Sequence, residues 1–365
     1  MATSRLGRRF SAKRRASLAV AIDQSCEKAF SLSFRAVLVY IHSMATSHRL
    51  YVGTIGEGLW RSLDGGATFT RSCDGMFVEC HVRALAVHPR EPRVLYLGSE
   101  QGLFYSHDGA DNWRHVDAPV AGQQIWSILL HPAAPEVILV GACPARLFRS
   151  GDAGRTWTEP LARMMQGCPR ILHTRVTALC AHADDPQTVW AGVEIDGVQR
   201  SRDAGQTWHA VGKGLSSQDI HALAFVPGRP ARLVASTNND VNVSADEGET
   251  WQPLRLGQAL PLPYFRGLAQ RPGQPDVLLL GNGDAPPGTT GLIARSLDGG
   301  ATWQETPMPG RANSTIWSFA VHAADANLVY ASSVSGQVYR SLDGGTSWVK
   351  LAREFGEIRA LAWTP

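Results

Sequence analysis

The chain has 365 residues, 18% of them charged, with 36 glycines, 21 prolines, 11 tryptophans and a formal net charge of +3. That charged fraction is low against about 25% for typical globular proteins, and with so many turn residues it excludes a coiled coil, a helical bundle and a disordered chain. The longest apolar run, Ala36 to Ile41, is too short for a transmembrane helix, so no membrane association is expected.

Residues 1–47 come first and stand apart. They carry eight Lys/Arg (Arg5, Arg8, Arg9, Lys13, Arg14, Arg15, Lys28, Arg35) and two acids, Asp23 and Glu27. A secretory signal is disfavoured because the apolar stretch Leu18 to Ile22 runs straight into Asp23. An amphipathic targeting segment or a basic nucleic-acid arm is a second reading. The favoured one is a disordered basic extension, with Met44 offering an alternative start. The extension contributes +6, leaving −3 for residues 48–365, so the charge gives no reason to expect a nucleic-acid partner.

From Leu50 onward one octet recurs: SLDGGATF (62–69), SHDGADNW (106–113), SGDAGRTW (150–157), SRDAGQTW (201–208), SADEGETW (244–251), SLDGGATW (296–303) and SLDGGTSW (341–348). Its aspartates are Asp64, Asp108, Asp152, Asp203, Asp246, Asp298 and Asp343, spaced 44, 44, 51, 43, 52 and 45 residues apart. That is the period of a four-stranded propeller blade. Each octet follows three short strands, such as Arg83 to His88, Val94 to Gly98 and Leu103 to Ser106, and turns into a fourth. The first repeat lacks an inner strand, and the chain ends in a spare one, Ile358 to Trp363. The expected fold is therefore all-β: a single seven-bladed propeller over residues 48–365, closed by the C-terminal strand completing the N-terminal blade, which removes free sheet edges.

Within the octet, Asp accepts turn N–H groups, Gly supplies positive φ and Trp anchors the blade, so these seven aspartates read as structural. They lie around a perimeter and lack the ligand spacing of a calcium loop. His88, His131, His182 and His322 share one position at the far end of the inner strands and read as turn caps. The cysteines at 26, 73, 80, 143, 168 and 180 form no CxxC or metal pattern. They are expected as free thiols in a cytoplasmic protein, with no metal and no cofactor.

The octet resembles the Asp-box, or BNR repeat, of a propeller superfamily that includes sialidases, xyloglucan-active glycoside hydrolases, sortilin-type receptors and a photosystem II assembly factor. The resemblance covers residues 48–365 and implies the fold, while function depends on sites grafted onto it.

The opposite face holds the starts of the inner strands, the turns between second and third strands, and the crossovers between blades. Two rings of residues align there. One is Arg83, Trp126, Thr177, His221, Arg266, Trp317 and Arg359; the other is His81, Gln124, Arg175, Asp219, Tyr264, Thr315 and Glu357. A period of two sets both on equivalent sides of their strands. The face turns add Glu57, Glu100, Glu194, Asp196, Asn238, Asn239, Asp240 and Asp284, and the long turn Gly281 to Gly291 is placed to lean over the mouth.

The leading expectation is a monomeric binding module for a small anionic or carbohydrate ligand, or for a protein. Its ligand residues are Arg83, Arg175, Arg266, Arg359, Trp126, Trp317 and Gln124, with arginines forking onto an anion and tryptophans stacking on a ring. The alternative is a glycosidase. Resemblance to sialidases points to Glu357, Tyr264 and Asp219, although those enzymes have six blades and an Arg-Ile-Pro signature absent here. Resemblance to xyloglucan-active enzymes, which close two propellers on a glycan, leaves Asp196, Asp219, Asp240 and Asp284 as carboxylates to consider. A lyase or hydrolase using His81 or His221 as base or metal ligand is the third reading.

Overall fold

The computed structural model describes residues 48–117, 119–168 and 171–365. The expectations for residues 1–47, including the Met44 start, lie outside the described residues. Apart from one short 3-10 turn at Leu256–Gln258, every described element is a β-strand. No helix among the described residues is long and apolar enough to cross a membrane.

Seven antiparallel sheets follow one another along the chain. The first joins Ile358–Thr364 to Arg49–Thr54, Leu59–Ser62 and Thr70–Arg71, so the C-terminal strand does complete the N-terminal blade. Leu50 faces Trp363 and Val52 faces Leu361 across this closure. Six blades have four named strands; in the third, Gln124–Leu130, Ile138–Cys143 and Leu147–Ser150 are joined by a fourth strand reduced to one bridge, Arg149 to Thr158. Each inner strand touches those of the two neighbouring blades, the last closing on the first.

The octet works as its residues dictate. In the fourth blade the Ser201 hydroxyl donates to Asp203 Oδ1 at 2.7 Å, and Asp203 accepts the Thr207 N–H at 2.8 Å and the Thr207 hydroxyl at 2.6 Å. Where the second octet has Asn112 for Thr, its Nδ2 donates to Asp108 Oδ2 at 2.9 Å and repeats the contact. The fourth and fifth positions turn through positive φ, and Ala153, Ala204 and Glu247 hold φ of 60°, 55° and 58° without being glycine. Closing residues anchor the blade: Trp208, Trp251 and Trp303 each donate Nε1 to the glycine carbonyl three residues back. The histidine caps are also in place; His182 Nδ1 accepts the N–H groups of Asp184 and Asp185.

The core is divided into seven apolar clusters, each shared by two adjacent blades. Trp303 packs against the fifth blade from the sixth, and Trp348 against the sixth from the seventh. Close approach between blades depends on a small residue in the second strand. A Cβ at Gly98, Gly141 or Gly192 would sit 2.5 Å from Ile125, Val176 or Ile220 of the next blade respectively. Burial between blades thus fixes the ring as a rigid frame around its channel.

Candidate functional site at the channel mouth

Six inner strands carry a bulge where they meet the channel. Pairing skips Trp126, Thr177, His221, Trp317 and Arg359, and passes over Arg266 together with Gly267. A bulge leaves a residue outside the ladder and re-aims its side chain. All seven residues of the first predicted ring consequently line one chamber of about 190 Å³. That chamber has three arginines, Arg83, Arg266 and Arg359, and no carboxylate in its wall.

A wider chamber of about 560 Å³ lies against it and shares Trp126, His221, Arg266, Trp317 and Arg359. It adds Arg175, Asp219, Tyr264 and Glu357 from the second ring, together with Glu194, Asn238, Ile171, Pro286 and Pro287. The long proline turn does lean over the mouth. Thr315 holds it there, donating its hydroxyl to the Ala285 carbonyl at 2.6 Å and its N–H to the Pro287 carbonyl at 3.0 Å.

Arginines stack on both tryptophan rings at the mouth. Arg83 and Arg175 lie 5.2 and 4.5 Å from the Trp126 ring centroid, and Arg266 and Arg359 lie 4.0 and 4.2 Å from that of Trp317. Each pair reaches its ring from the two flanking blades. The indole faces are taken up by guanidinium groups, which leaves little room for a stacked sugar. Stacking holds the four guanidinium groups at the mouth and leaves their edges to donate to neighbouring groups.

Charge pairing differs among the four. Arg175 Nη1 meets Glu194 Oε1 at 2.9 Å, and Arg359 Nε meets Glu357 Oε1. Neither Arg83 nor Arg266 has a carboxylate among the described residues within 4.0 Å. Burial lowers the pKa of Arg83 and Arg359, and the charges of Arg83 and Arg266 press further on Arg359. A guanidinium remains charged through such a shift.

His221 is buried between three partners. Its Nδ1 donates to the Phe265 carbonyl at 2.6 Å, while Nε2 faces Asp219 Oδ2 at 3.4 Å and the Tyr264 hydroxyl at 3.5 Å. Burial, and then the charge of Arg266, push its pKa down, against the hydrogen bond and charge of Asp219. Burial alone would raise Asp219, but the His221 hydrogen bond, with the charges of His221, Arg266 and Arg175, outweighs it and holds the carboxyl below its ordinary range. Burial raises Glu194 against the pull of Arg175.

Other expectations are corrected. Asp240 is spent on its own loop, accepting the N–H groups of Val241, Arg255 and Leu256. Asp284 is turned onto Thr289 and Thr290, and Asp196 accepts the Met165 N–H. Of those four aspartates only Asp219 lines the mouth. Gln124 is exposed and lines neither chamber. His81 lines neither as well; its N–H donates to Glu100 and its ring lies 3.5 Å from Arg83. Among the described residues no group of three His, Cys, Asp or Glu is placed to hold a metal ion.

Glu194 is the residue the sequence did not single out. It was one face-turn acid among several, and its significance comes from burial beside Arg175. Cys143 is similar: its thiol, raised by burial, lies beside Arg175. The five described cysteines are all free.

Comparison with known proteins agrees with this architecture. Residues 57–189 match the family model "Sortilin, neurotensin receptor 3". The chain is 27% identical over 269 residues to a "Probable oligoxyloglucan-reducing end-specific xyloglucanase" of Neosartorya fischeri, covering 70% of this chain and 31% of that protein. It spans less than a third of the length of the curated relatives it matches. Among solved structures it is similar to YCF48 bound to D1 peptide, with TM-score 0.50 and 16% identity over 74% of this chain and 82% of that one. It is also similar to the extracellular domain of a hybrid two-component system from B. thetaiotaomicron, with TM-score 0.55 and 14% identity over 76% of this chain and 35% of that one. The ring of octets and these likenesses fit a BNR/Asp-box-like propeller family.

Proposed function

We propose that this protein is a binding propeller whose channel mouth takes the anionic group, carboxylate or phosphate, of a small ligand or of a protein segment. One observation carries this reading: the inner chamber is walled by three stacked guanidinium groups and no carboxylate. Converging like charges with two members unpaired favour an anion, and a guanidinium edge presents paired donors that match one. The channel end of a rigid ring is also where a pre-formed pocket is expected. Arg83 and Arg266 are the anchoring residues, with Trp126 and Trp317 as positioning residues. Monomeric action in a cytoplasmic setting belongs to the same proposal, the latter resting on the free thiols.

Titration calorimetry with succinate and inorganic phosphate tests it. At least one should bind the wild type, and Arg83→Ala with Arg266→Ala should abolish that binding. Unchanged affinity in the double variant would exclude the arginine seat.

A hydrolase is the second reading, favoured by two carboxyls of one chamber pushed in opposite directions, Glu194 up and Asp219 down. Such a split is what an acid–base pair needs. Glu357, paired with Arg359, and Tyr264, buried against His221, stand in the same chamber. Turnover of xyloglucan oligosaccharides or sialosides, lost in Glu194→Gln, would establish it; no turnover would end it.

A further inference from the structure

The two chambers differ in kind. The inner one is purely cationic, whereas the outer one mixes Arg175, Arg266 and Arg359 with Glu194, Asp219 and Glu357. Two of these acids are left incomplete. Glu194 is 8% exposed, and its Oε2 is buried without a hydrogen-bond partner, although Oε1 is held by Arg175. Asp219 spends Oδ2 on His221 and leaves Oδ1 equally buried and unpartnered. Each buried oxygen without a donor costs free energy that a bound donor would recover. The two carboxyls also feel one another, since the charge of Asp219 works with burial to raise Glu194.

A neutral hydroxyl would satisfy one lone pair and leave that repulsion in place. An ammonium carries a positive charge that offsets the repulsion and three N–H groups to share between the two carboxylates. Asn238 and Tyr264 in the same wall offer oxygens for it. Arg359 is already paired with Glu357, and the ammonium would share Glu194 with Arg175 in a chamber that Arg266 also lines.

We infer that the mouth is built for a zwitterion: an amine-bearing anion whose acidic group enters the inner arginine chamber and whose ammonium sits in the outer chamber against Glu194 and Asp219. This rests on the proposal that the inner chamber takes an anion, and it extends that proposal to the chemical class of the ligand.

The test is calorimetric, with matched probes of two lengths: γ-aminobutyrate, γ-hydroxybutyrate and butyrate, then ε-aminocaproate, ε-hydroxycaproate and caproate. In the wild type the better amino acid should bind about tenfold or more tightly than its unsubstituted and hydroxylated counterparts, the scale of a charge-assisted hydrogen bond. In Glu194→Gln/Asp219→Asn, shown folded by circular dichroism, that ratio should fall to about one. The wild-type panel decides even if the double variant does not fold. Equal binding of amine and unsubstituted acid would overturn the zwitterion and leave the anion seat standing. Equal binding of hydroxyl and amine would overturn the ammonium in favour of a neutral donor. Binding of no member would overturn the zwitterion, while the anion seat stands or falls on the succinate and phosphate titrations.

Discussion

Replacing Trp317 by leucine should weaken anion binding without touching any residue that meets the anion. The indole holds Arg266 and Arg359 at 4.0 and 4.2 Å from its ring centroid, and leucine keeps an apolar wall but no π face. Each guanidinium then regains rotamer freedom that binding must remove again, at about 0.5–1.5 kcal/mol per side chain. Two side chains give about 1–3 kcal/mol, or roughly 5- to 150-fold in affinity. Titration of wild type, Trp317→Phe and Trp317→Leu with caproate or succinate should give a graded loss, with phenylalanine between the others. Trp251→Leu serves as control: its indole anchors its octet in the core between the fourth and fifth blades, so it should lower stability and leave affinity alone. Affinity within about twofold of wild type in Trp317→Leu, together with loss of binding in Arg266→Ala, would refute the positioning role of the indole.

Other outcomes follow from the frame and its titrating groups. Gly192→Ala places a Cβ 2.5 Å from Ile220 Cγ2, and this overpacking should cost about 1–3 kcal/mol in a thermal or urea melt. Because Ile220 lies between Asp219 and His221, ligand affinity should fall with it; unchanged stability would contradict the blade-spacing role of this glycine. Ala153→Gly relieves a φ of 60° and should stabilise by up to about 1 kcal/mol, less whatever the freer unfolded chain takes back. His221 has its pKa lowered by burial, so its contribution is complete above the ordinary value near about 6.5 and is lost as pH falls below it. The drop in melting temperature from neutral to mildly acidic pH should therefore shrink in His221→Gln. Asp64 and Asp152 are held at about 2 despite any burial by the hydrogen bonds of their turns, notably from Thr68 and Thr156. Their stabilisation should persist above about 4 and disappear as pH falls toward 2, seen as proton uptake on acid unfolding; unfolding with no uptake in that window would contradict it.

The fold was legible because the octet is a local device. Ser201, Asp203 and Thr207 close their turn among themselves, so the sequence shows the same spacing wherever a blade ends. The first ring was legible for a related reason: each member occupies one fixed position on its inner strand, and all seven reach the inner chamber. The second ring was only half legible. Arg175, Asp219, Tyr264 and Glu357 reach the outer chamber, but Thr315 is drawn to the proline turn and Gln124 is left in solvent. Those outcomes depend on loops from other blades. The stacking of Arg83 and Arg175 on Trp126 joins three blades, and the burial of Glu194 depends on a cross-strand arginine. Neither leaves a periodic trace in the chain. Asp196, Asp240 and Asp284 were indistinguishable from Asp219 by residue type; only the backbone N–H groups around them show that they are spent on loop structure.

The anion seat is most directly tested by diffraction from crystals soaked in para-bromobenzoate, whose bromine locates the probe without ambiguity. The anion-seat proposal predicts the carboxylate within hydrogen-bond distance of Arg83 or Arg266 in the inner chamber, and no density there in the Arg83→Ala/Arg266→Ala variant. A probe bound only outside the channel mouth, or one retained in the mouth of the double variant, would contradict it.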